Sequence, residues 1–159
     1  MATETAKGEG LRALVLDDDE YALEFLRAIL SDRYPGLTIE TRMEPDPDGE
    51  HDLYFLDDDF DGVRLAGELA RRIRKQRPDA IILAFSASLD APTLRELLIA
   101  GCNGVCDKKV QSDLPEMLEA LDRCMEDFTT RNKEEEDSVV GTFRDLFDEW
   151  NRRLEGQGG

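Results

Sequence analysis

Acidic, hydroxyl and ammonium groups each follow a short apolar run of this sequence. The run LRALVL is followed by the acidic residues 17–20 (DDDE), and LYFL is followed by residues 57–59 (DDD). AIILAF is followed by Ser86, and GVC is followed, after one residue, by Lys108 and Lys109. Carboxylates brought together repel one another unless a cation neutralises them, and hard oxygen ligands with open positions suit Mg²⁺. A carboxylate beside such a metal can attack a phosphoryl group, whose charge the metal, an ammonium group and a hydroxyl can share. The residue types therefore suggest phosphoryl transfer onto an aspartate.

The elements that would position these groups alternate between strands and helices. Apolar runs predict strands over residues 11–16, 37–43, 53–56, 80–85 and 104–106. Helical spacing predicts helices over residues 21–30, 63–76, 91–100 and 112–128. This alternation indicates an α/β domain with a parallel sheet covered on both faces. Ligands of such sheets bind beyond the carboxyl ends of the strands, so the acidic groups, Ser86 and Lys108 are expected at one edge.

Four segments in this order resemble the response regulator receiver domain of two-component signalling. They are LVLDDDE, DLYFLDDD followed by DG, IILAFSA and GCNGVCDKK, spread over about residues 11–128. The resemblance implies a doubly wound, five-stranded parallel sheet of the flavodoxin-like type, with strand order 2-1-3-4-5.

The same resemblance implies a role for each acidic residue of the edge. Asp57, directly after the strand DLYFL, would be the phosphoacceptor. Asp17 and Asp18, the first two acids after LVL, would hold Mg²⁺ together with Asp57. Asp59 would offer its backbone carbonyl to the same ion.

The remaining implied roles concern the phosphoryl group and its source. Ser86 would contact the phosphoryl group, and Lys108 would pair with it. The chain would then be a single-domain receiver in the cytoplasm, phosphorylated by a sensor histidine kinase or a histidine phosphotransfer protein. Its output would be protein–protein interaction. Such a receiver is not an enzyme.

The sequence also departs from the family pattern. The segment between Asp57 and the Asp-Gly pair is about three residues shorter than usual, and only residues 43–52 are available for the family's second helix. We therefore expect that helix to be missing or reduced to a turn. Val105 stands where strand five often carries an aromatic residue. These departures leave open a receiver-fold binding or dimerisation module that works without phosphorylation. An aspartyl-phosphate phosphohydrolase dependent on Mg²⁺ is a further alternative.

The chain divides by composition into four parts. Residues 1–10 read as a disordered leader, 11–128 as the receiver domain and 129–138 as a charged linker. An amphipathic helix is predicted over residues 139–156, with one apolar stripe that includes Trp150. That helix could pack on its own domain, or it could form a homodimer or bind a downstream protein.

The overall charge restricts the possible partners. With 37 acidic and 20 basic residues, the formal charge is −17. Nucleic acid and anionic membranes both attract positive surfaces, so neither is an expected partner. No apolar segment has the length of a membrane span, and the amino terminus lacks the apolar core of a signal peptide. The only histidine, His51, lies in a prolyl loop and is expected to be solvated.

Overall fold

A computed structural model describes residues 6–110, 112–134, 149–150 and 152–153. Its strands are β1 (Arg12–Leu16), β2 (Thr38–Arg42), β3 (Leu53–Asp57), β4 (Asp59–Phe60), β5 (Val63–Arg64), β6 (Ile81–Ser86) and β7 (Gly104–Asp107). Its helices are α1 (Glu20–Arg33), α2 (Ala66–Gln76), α3 (Ala91–Ile99) and α4 (Asp113–Glu134). None of the helices in these described ranges is long and apolar enough to cross a membrane.

Five of the strands form one parallel sheet. Their order is β2-β1-β3-β6-β7, which confirms the predicted order 2-1-3-4-5. Every residue of β3 and β6 is buried, as expected for central strands covered on both faces. On one side, Tyr34 at the end of α1 donates a hydrogen bond of 2.6 Å to Asp122 of α4, while α2 contacts α3.

The helix expected to be missing is absent. Residues 43–52, all of them described, join β2 to β3 without a helix. Ion pairs hold this segment instead: Arg42 contacts Asp48 at 2.7 Å, and Arg72 of α2 contacts Asp46 at 2.8 Å. Ion pairs thus stabilise a loop at the position where the family's second helix would pack through its apolar face.

His51 lies inside this loop, and the expectation that it is solvated is wrong. Its side chain is 1% exposed. The Nδ1 atom is 3.0 Å from a carboxylate oxygen of Asp48, and Nε2 is 3.4 Å from one of Glu40. The ring also packs edge-on against Tyr54. Among the described residues, Nδ1 thus has a hydrogen-bond partner in Asp48, whereas Nε2 is buried without one and faces Glu40.

The structure differs from the sequence prediction at three other places. Residues 6–10, predicted as part of a disordered leader, form turns, and the Lys7 carbonyl accepts a 2.9 Å hydrogen bond from the Gly36 amide. Val63, predicted to begin a helix, lies in β5, and α2 starts at Ala66. The last helix continues to Glu134, into the predicted linker. Residues 1–5 and most of the predicted C-terminal helix lie outside the described residues.

Three cysteines are buried and free of disulfides: Cys102, Cys106 and Cys124. Burial raises the pKa of each thiol to about 12. Cys102 follows α3, Cys106 lies in β7 and Cys124 lies in α4. These thiols contribute to the core as small apolar groups.

Candidate functional site

Two buried carboxylates meet at the carboxyl edge of the sheet. Asp57 is the last residue of β3, and Asp17 follows β1, which is hydrogen-bonded to β3 in parallel register. Both side chains are buried, whereas Asp18 is exposed. The Asp57 Oδ2 atom accepts a 3.2 Å hydrogen bond from the Asp59 amide, and Asp17 Oδ1 accepts one of 2.9 Å from the Asp19 amide. Local backbone donors thus orient both carboxylates.

Lys108 joins these two carboxylates from the opposite side of the site. Its Nζ atom is 2.6 Å from Asp57 Oδ1 and 3.2 Å from Asp17 Oδ2. The residue follows β7 directly, and its amide donates a 2.9 Å hydrogen bond to the carbonyl of Ser86 at the end of β6. The sheet therefore brings residues 91 positions apart in the sequence into direct contact.

Burial dominates the electrostatics of the site. It raises the pKa of Asp57 to about 6, although the hydrogen bond and charge of Lys108 act in the other direction. Burial also raises the pKa of Asp17, against the opposing effects of the Asp19 amide and Lys108. For Lys108, burial lowers the pKa, but its pairing with Asp57 and Asp17 outweighs burial and the net shift is upward. One ammonium group thus serves two buried carboxylates, and the site retains an excess of negative charge.

The carboxylates of Asp17, Asp18 and Asp57 fit a hard divalent cation. One oxygen from each lies within 4.8 Å of the others. Mg²⁺ is usually held by one or two carboxylates, keeps several waters and leaves positions open for phosphate oxygens. The excess negative charge described above would be offset by such an ion. The donor set is therefore of the type that Mg²⁺ requires.

A β-hairpin formed by residues 59–64 follows Asp57, and the sequence prediction missed it. Strands β4 and β5 are antiparallel, and the turn residues Asp61 and Gly62 have φ angles of 54° and 84°. Two consecutive positive φ values match a type I′ turn, for which Asp-Gly is a preferred sequence. The Asp61 amide donates a 2.8 Å hydrogen bond to Asp18 Oδ2. The hairpin tip thus fixes one of the three clustered carboxylates.

Asp58 and Arg64 anchor the base of this hairpin. Asp58 is buried, and its Oδ2 atom is 3.1 Å from Arg64 Nε. Its other oxygen accepts a 3.3 Å hydrogen bond from the Ala66 amide in the first turn of α2. Arg64 also donates a 3.0 Å hydrogen bond to Thr93 of α3. Asp58 therefore has structural partners of its own and lies apart from the three clustered carboxylates.

Ser86 and Asp59 lie at the same edge but make other contacts. Ser86 is buried, and its Oγ atom accepts a 3.2 Å hydrogen bond from the Ser88 amide. In the described part of the chain, this hydroxyl makes no hydrogen bond to Asp57 or Lys108. The Asp59 side chain accepts a 2.7 Å hydrogen bond from the Gly62 amide. The structure thus brings Asp17, Asp18, Asp57 and Lys108 into one cluster, with Ser86 and Asp59 beside it.

A cavity of about 410 Å³ opens beside the cluster. Asp17 and Lys108 form part of its wall, and Phe25 of α1 and Val110 contribute apolar surface. Phe25 is 58% exposed and Val110 is 43% exposed, which is high for apolar side chains next to a polar site. Asp17 and Lys108 are therefore accessible from this side through a partly apolar opening.

Comparisons with known proteins find likeness in structure only. No protein-family model matches the chain, and no curated protein matches it. The non-phosphorylated HemR receiver domain from Leptospira biflexa is 23% identical with a TM-score of 0.61, and the match covers 72% of this chain and 94% of that one. A CheY-like response regulator receiver domain protein from Methanospirillum hungatei is 22% identical with a TM-score of 0.59, covering 77% and 98%.

A third solved structure leads to the same conclusion. Chemotaxis protein CheY4 of Vibrio cholerae is 18% identical with a TM-score of 0.57, and the match covers 69% of this chain and 96% of that one. Almost the whole length of each of these solved chains is therefore matched by a part of this chain. The strand order and these likenesses show that the chain has the fold of a response regulator receiver domain.

Proposed function

We propose that the chain is a phosphorylatable receiver that takes a phosphoryl group onto Asp57 from a histidine kinase or a histidine phosphotransfer protein. The observation that carries this proposal is the position of Lys108 Nζ, 2.6 Å from Asp57 and 3.2 Å from Asp17. At the carboxyl edge of a receiver fold, this arrangement combines a buried carboxylate with a fixed cation, next to three carboxylates that could share a metal ion. The donor would meet the chain in the cytoplasm.

Each side chain of the cluster has a distinct part in this reaction. An Asp57 carboxylate oxygen attacks phosphorus, the new O–P bond forms, and the bond from phosphorus to the donor's imidazole nitrogen breaks. Lys108 then pairs with the transferred phosphoryl oxygens. Asp17 and Asp18, with the Asp59 carbonyl, would hold Mg²⁺. When bound, this ion neutralises charge that develops on the phosphoryl oxygens.

The apolar surface next to Asp17 and Lys108 supports a macromolecular donor. The cavity wall next to Asp17 and Lys108 includes exposed Phe25. Tyr21, on the preceding turn of α1, is 86% exposed. Large exposed apolar side chains beside a polar site are typical of protein contact surfaces. A protein carrying the phosphohistidine could pack on this surface while its imidazole enters the site. After phosphorylation, output would again be protein–protein interaction.

The hairpin after Asp57 favours one alternative, a binding module that does not depend on phosphorylation. Asp58, Arg64 and Thr93 link this hairpin to α3 in the unphosphorylated chain. A surface already fixed in this way could bind a partner or a second copy constitutively. The two functions differ in whether a complex responds to phosphorylation or to Asp57→Ala. A complex unchanged by both would favour the binding module.

The test of phosphorylation is intact mass after incubation with acetyl phosphate, with and without Mg²⁺. Wild type is expected to gain one phosphoryl group only with Mg²⁺, because the metal offsets the charge repulsion in the site. Asp57→Asn is expected to gain none. Asp61→Asn is the matched control, since it also removes a carboxylate from this region but Asn tolerates the positive φ of residue 61.

Two results would contradict the proposal. Labelling of Asp57→Asn would assign the acceptor to another residue. Absence of labelling in wild type would also contradict it, provided that circular dichroism shows folded protein and that a histidine phosphotransfer protein fails as donor too.

A further inference from the structure

The C-terminal residues that the structure describes pack on the surface formed by β7 and the first half of α4. Trp150 is only 5% exposed, although its neighbours Glu149 and Arg152 are exposed. A Cβ atom at Gly104 of β7 would lie 2.8 Å from Trp150 Nε1, closer than real Cβ contacts. The indole thus occupies space that exists because residue 104 has no side chain. We call this surface the β7–α4 surface.

Charged contacts hold the indole in this place. The Arg153 guanidinium lies 4.9 Å from the centre of the Trp150 ring, within cation–π range. The same guanidinium is 3.7 Å from Asp113 Oδ1 and also pairs with Glu116 on the next turn of α4. Trp150 therefore fills the space at Gly104, which we call the notch. Arg153 pairs with Asp113 and Glu116, which we call the acidic rim.

One of these rim carboxylates also bonds the segment that carries Lys108. Asp113 Oδ2 accepts a 3.1 Å hydrogen bond from the Asp107 amide. Lys108 is the next residue, and its Nζ atom contacts Asp57. A single side chain, Asp113, thus contacts Arg153 on one side and, on the other, the Asp107 backbone next to Lys108, the residue that pairs with Asp57.

We propose that the β7–α4 surface is a docking site for the chain's own Trp150 and Arg153, and that docking is coupled to the state of Asp57 through Asp113 and Lys108. The docking stands on the contacts above, whereas the coupling rests on the proposed function. A phosphoryl group on Asp57 places new anionic oxygens beyond the carboxylate, and Lys108 follows them. Movement of the adjoining Asp107 amide disturbs Asp113 and weakens its hold on Arg153. Phosphorylation thereby releases Trp150 and uncovers the notch at Gly104.

The docking is tested on the unphosphorylated full chain by chymotrypsin cleavage after Trp150, followed by intact mass. When opening is fast compared with cleavage, the cleavage rate is proportional to the undocked population. Arg153→Ala is expected to raise this rate about fivefold, the factor that corresponds to about 1 kcal/mol. Arg152→Ala is the matched control, because Arg152 is exposed, and should change the rate by no more than about twofold. Cleavage rates of short synthetic peptides that contain Trp150 and the same substitutions show how far each substitution alters chymotrypsin's own preference, and the rates of the full chain are divided by them.

A second variant makes the docking test independent of charge. Gly104→Ala places a methyl group against the indole and is also expected to raise the cleavage rate. Equal rates for Arg153→Ala and Arg152→Ala would overturn the proposal, as would an unchanged rate for Gly104→Ala. A wild-type rate that falls with protein concentration, together with a dimeric mass, would overturn docking within one chain in favour of exchange between two copies.

The coupling is tested on protein treated with acetyl phosphate and Mg²⁺, with the phosphorylated fraction read by mass. We expect phosphorylated wild type to be cleaved about fivefold faster than unphosphorylated wild type. In Asp113→Ala, phosphorylation should change the rate by less than about twofold. A phosphorylated chain with an unchanged rate would overturn the coupling and leave the proposed function standing. Absence of any mass gain in folded protein, with a histidine phosphotransfer protein as well as with acetyl phosphate, would instead refute the proposed function and the coupling with it, while the docking assay keeps its own result.

Discussion

Replacing Asp57 by asparagine is expected to stabilise the metal-free protein. Burial raises the pKa of Asp57 from 3.8 to about 6 in spite of the Lys108 ion pair. At 1.36 kcal/mol for each pH unit, keeping this buried group ionised costs about 3 kcal/mol at neutral pH relative to the unfolded chain. That cost already includes the attraction of Lys108, and asparagine, which stays neutral, removes it. We therefore expect Asp57→Asn to raise the free energy of unfolding by about 2 to 3 kcal/mol in EDTA.

The difference in the free energy of unfolding between Asp57→Asn and wild type is expected to grow as the pH rises. Because the folded pKa of Asp57 lies above that of the unfolded chain, the proton's stabilising effect is fully present below about pH 4 and is lost as the pH rises through about 6. Wild type should therefore lose stability relative to Asp57→Asn over this range. The advantage of the variant should be largest near neutral pH and smallest near pH 4.

The assay is urea unfolding in EDTA at about pH 4 and about pH 7. Asp61→Asn is the control, because Asp61 is exposed, and it should change stability by at most about 0.5 kcal/mol. Added Mg²⁺ should stabilise wild type by binding the folded state, and Asp57→Asn much less. The reasoning is refuted if Asp57→Asn is less stable than wild type in EDTA at neutral pH, or if the difference is the same at both pH values.

Three further substitutions are expected to lower the free energy of unfolding, each measured by urea denaturation. Lys108→Met should cost about 2 kcal/mol in EDTA, because it leaves Asp57 without its cation, and Mg²⁺ should restore part of the loss. Tyr34→Phe should cost about 1.5 kcal/mol through the lost hydrogen bond to Asp122, and an unchanged midpoint would exclude that contribution. Gly62→Ala should cost about 1 kcal/mol from backbone strain alone, since its φ is 84° and a Cβ atom there meets nothing within 4 Å.

The sheet and its acidic edge could be predicted from the sequence because their signals are local. Each strand is a short apolar run, and the polar residue that follows it directly must emerge at the carboxyl edge of a parallel sheet. That reasoning is sufficient to bring Asp17, Asp57 and Lys108 to one place. The absence of a helix over residues 43–52 followed equally simply from the shortness of the segment.

Two features were not predicted from the sequence: the burial of His51, which depends on residues distant in the sequence, and the hairpin at residues 59–64, where two local signals conflict. His51 is buried because carboxylates from β2 and its own loop face both ring nitrogens, which a polar, proline-containing sequence does not indicate. The hairpin at residues 59–64 did have a local signal, the pair Asp61-Gly62 between Phe60 and Val63. Helical spacing that begins at Val63 competed with that signal, and the turn chemistry determined the structure.

The three buried thiols allow local and global unfolding of this protein to be measured by alkylation. Thiolate is the reactive form, so a covered thiol whose pKa is about 12 reacts only while its surroundings are open. Cys102, Cys106 and Cys124 belong to neighbouring but different elements. The number of thiols modified in each molecule therefore separates two kinds of fluctuation. Complete unfolding adds three labels together, whereas partial opening adds fewer, and separation of α4 from β7 is expected to uncover Cys124 and Cys106 but not Cys102.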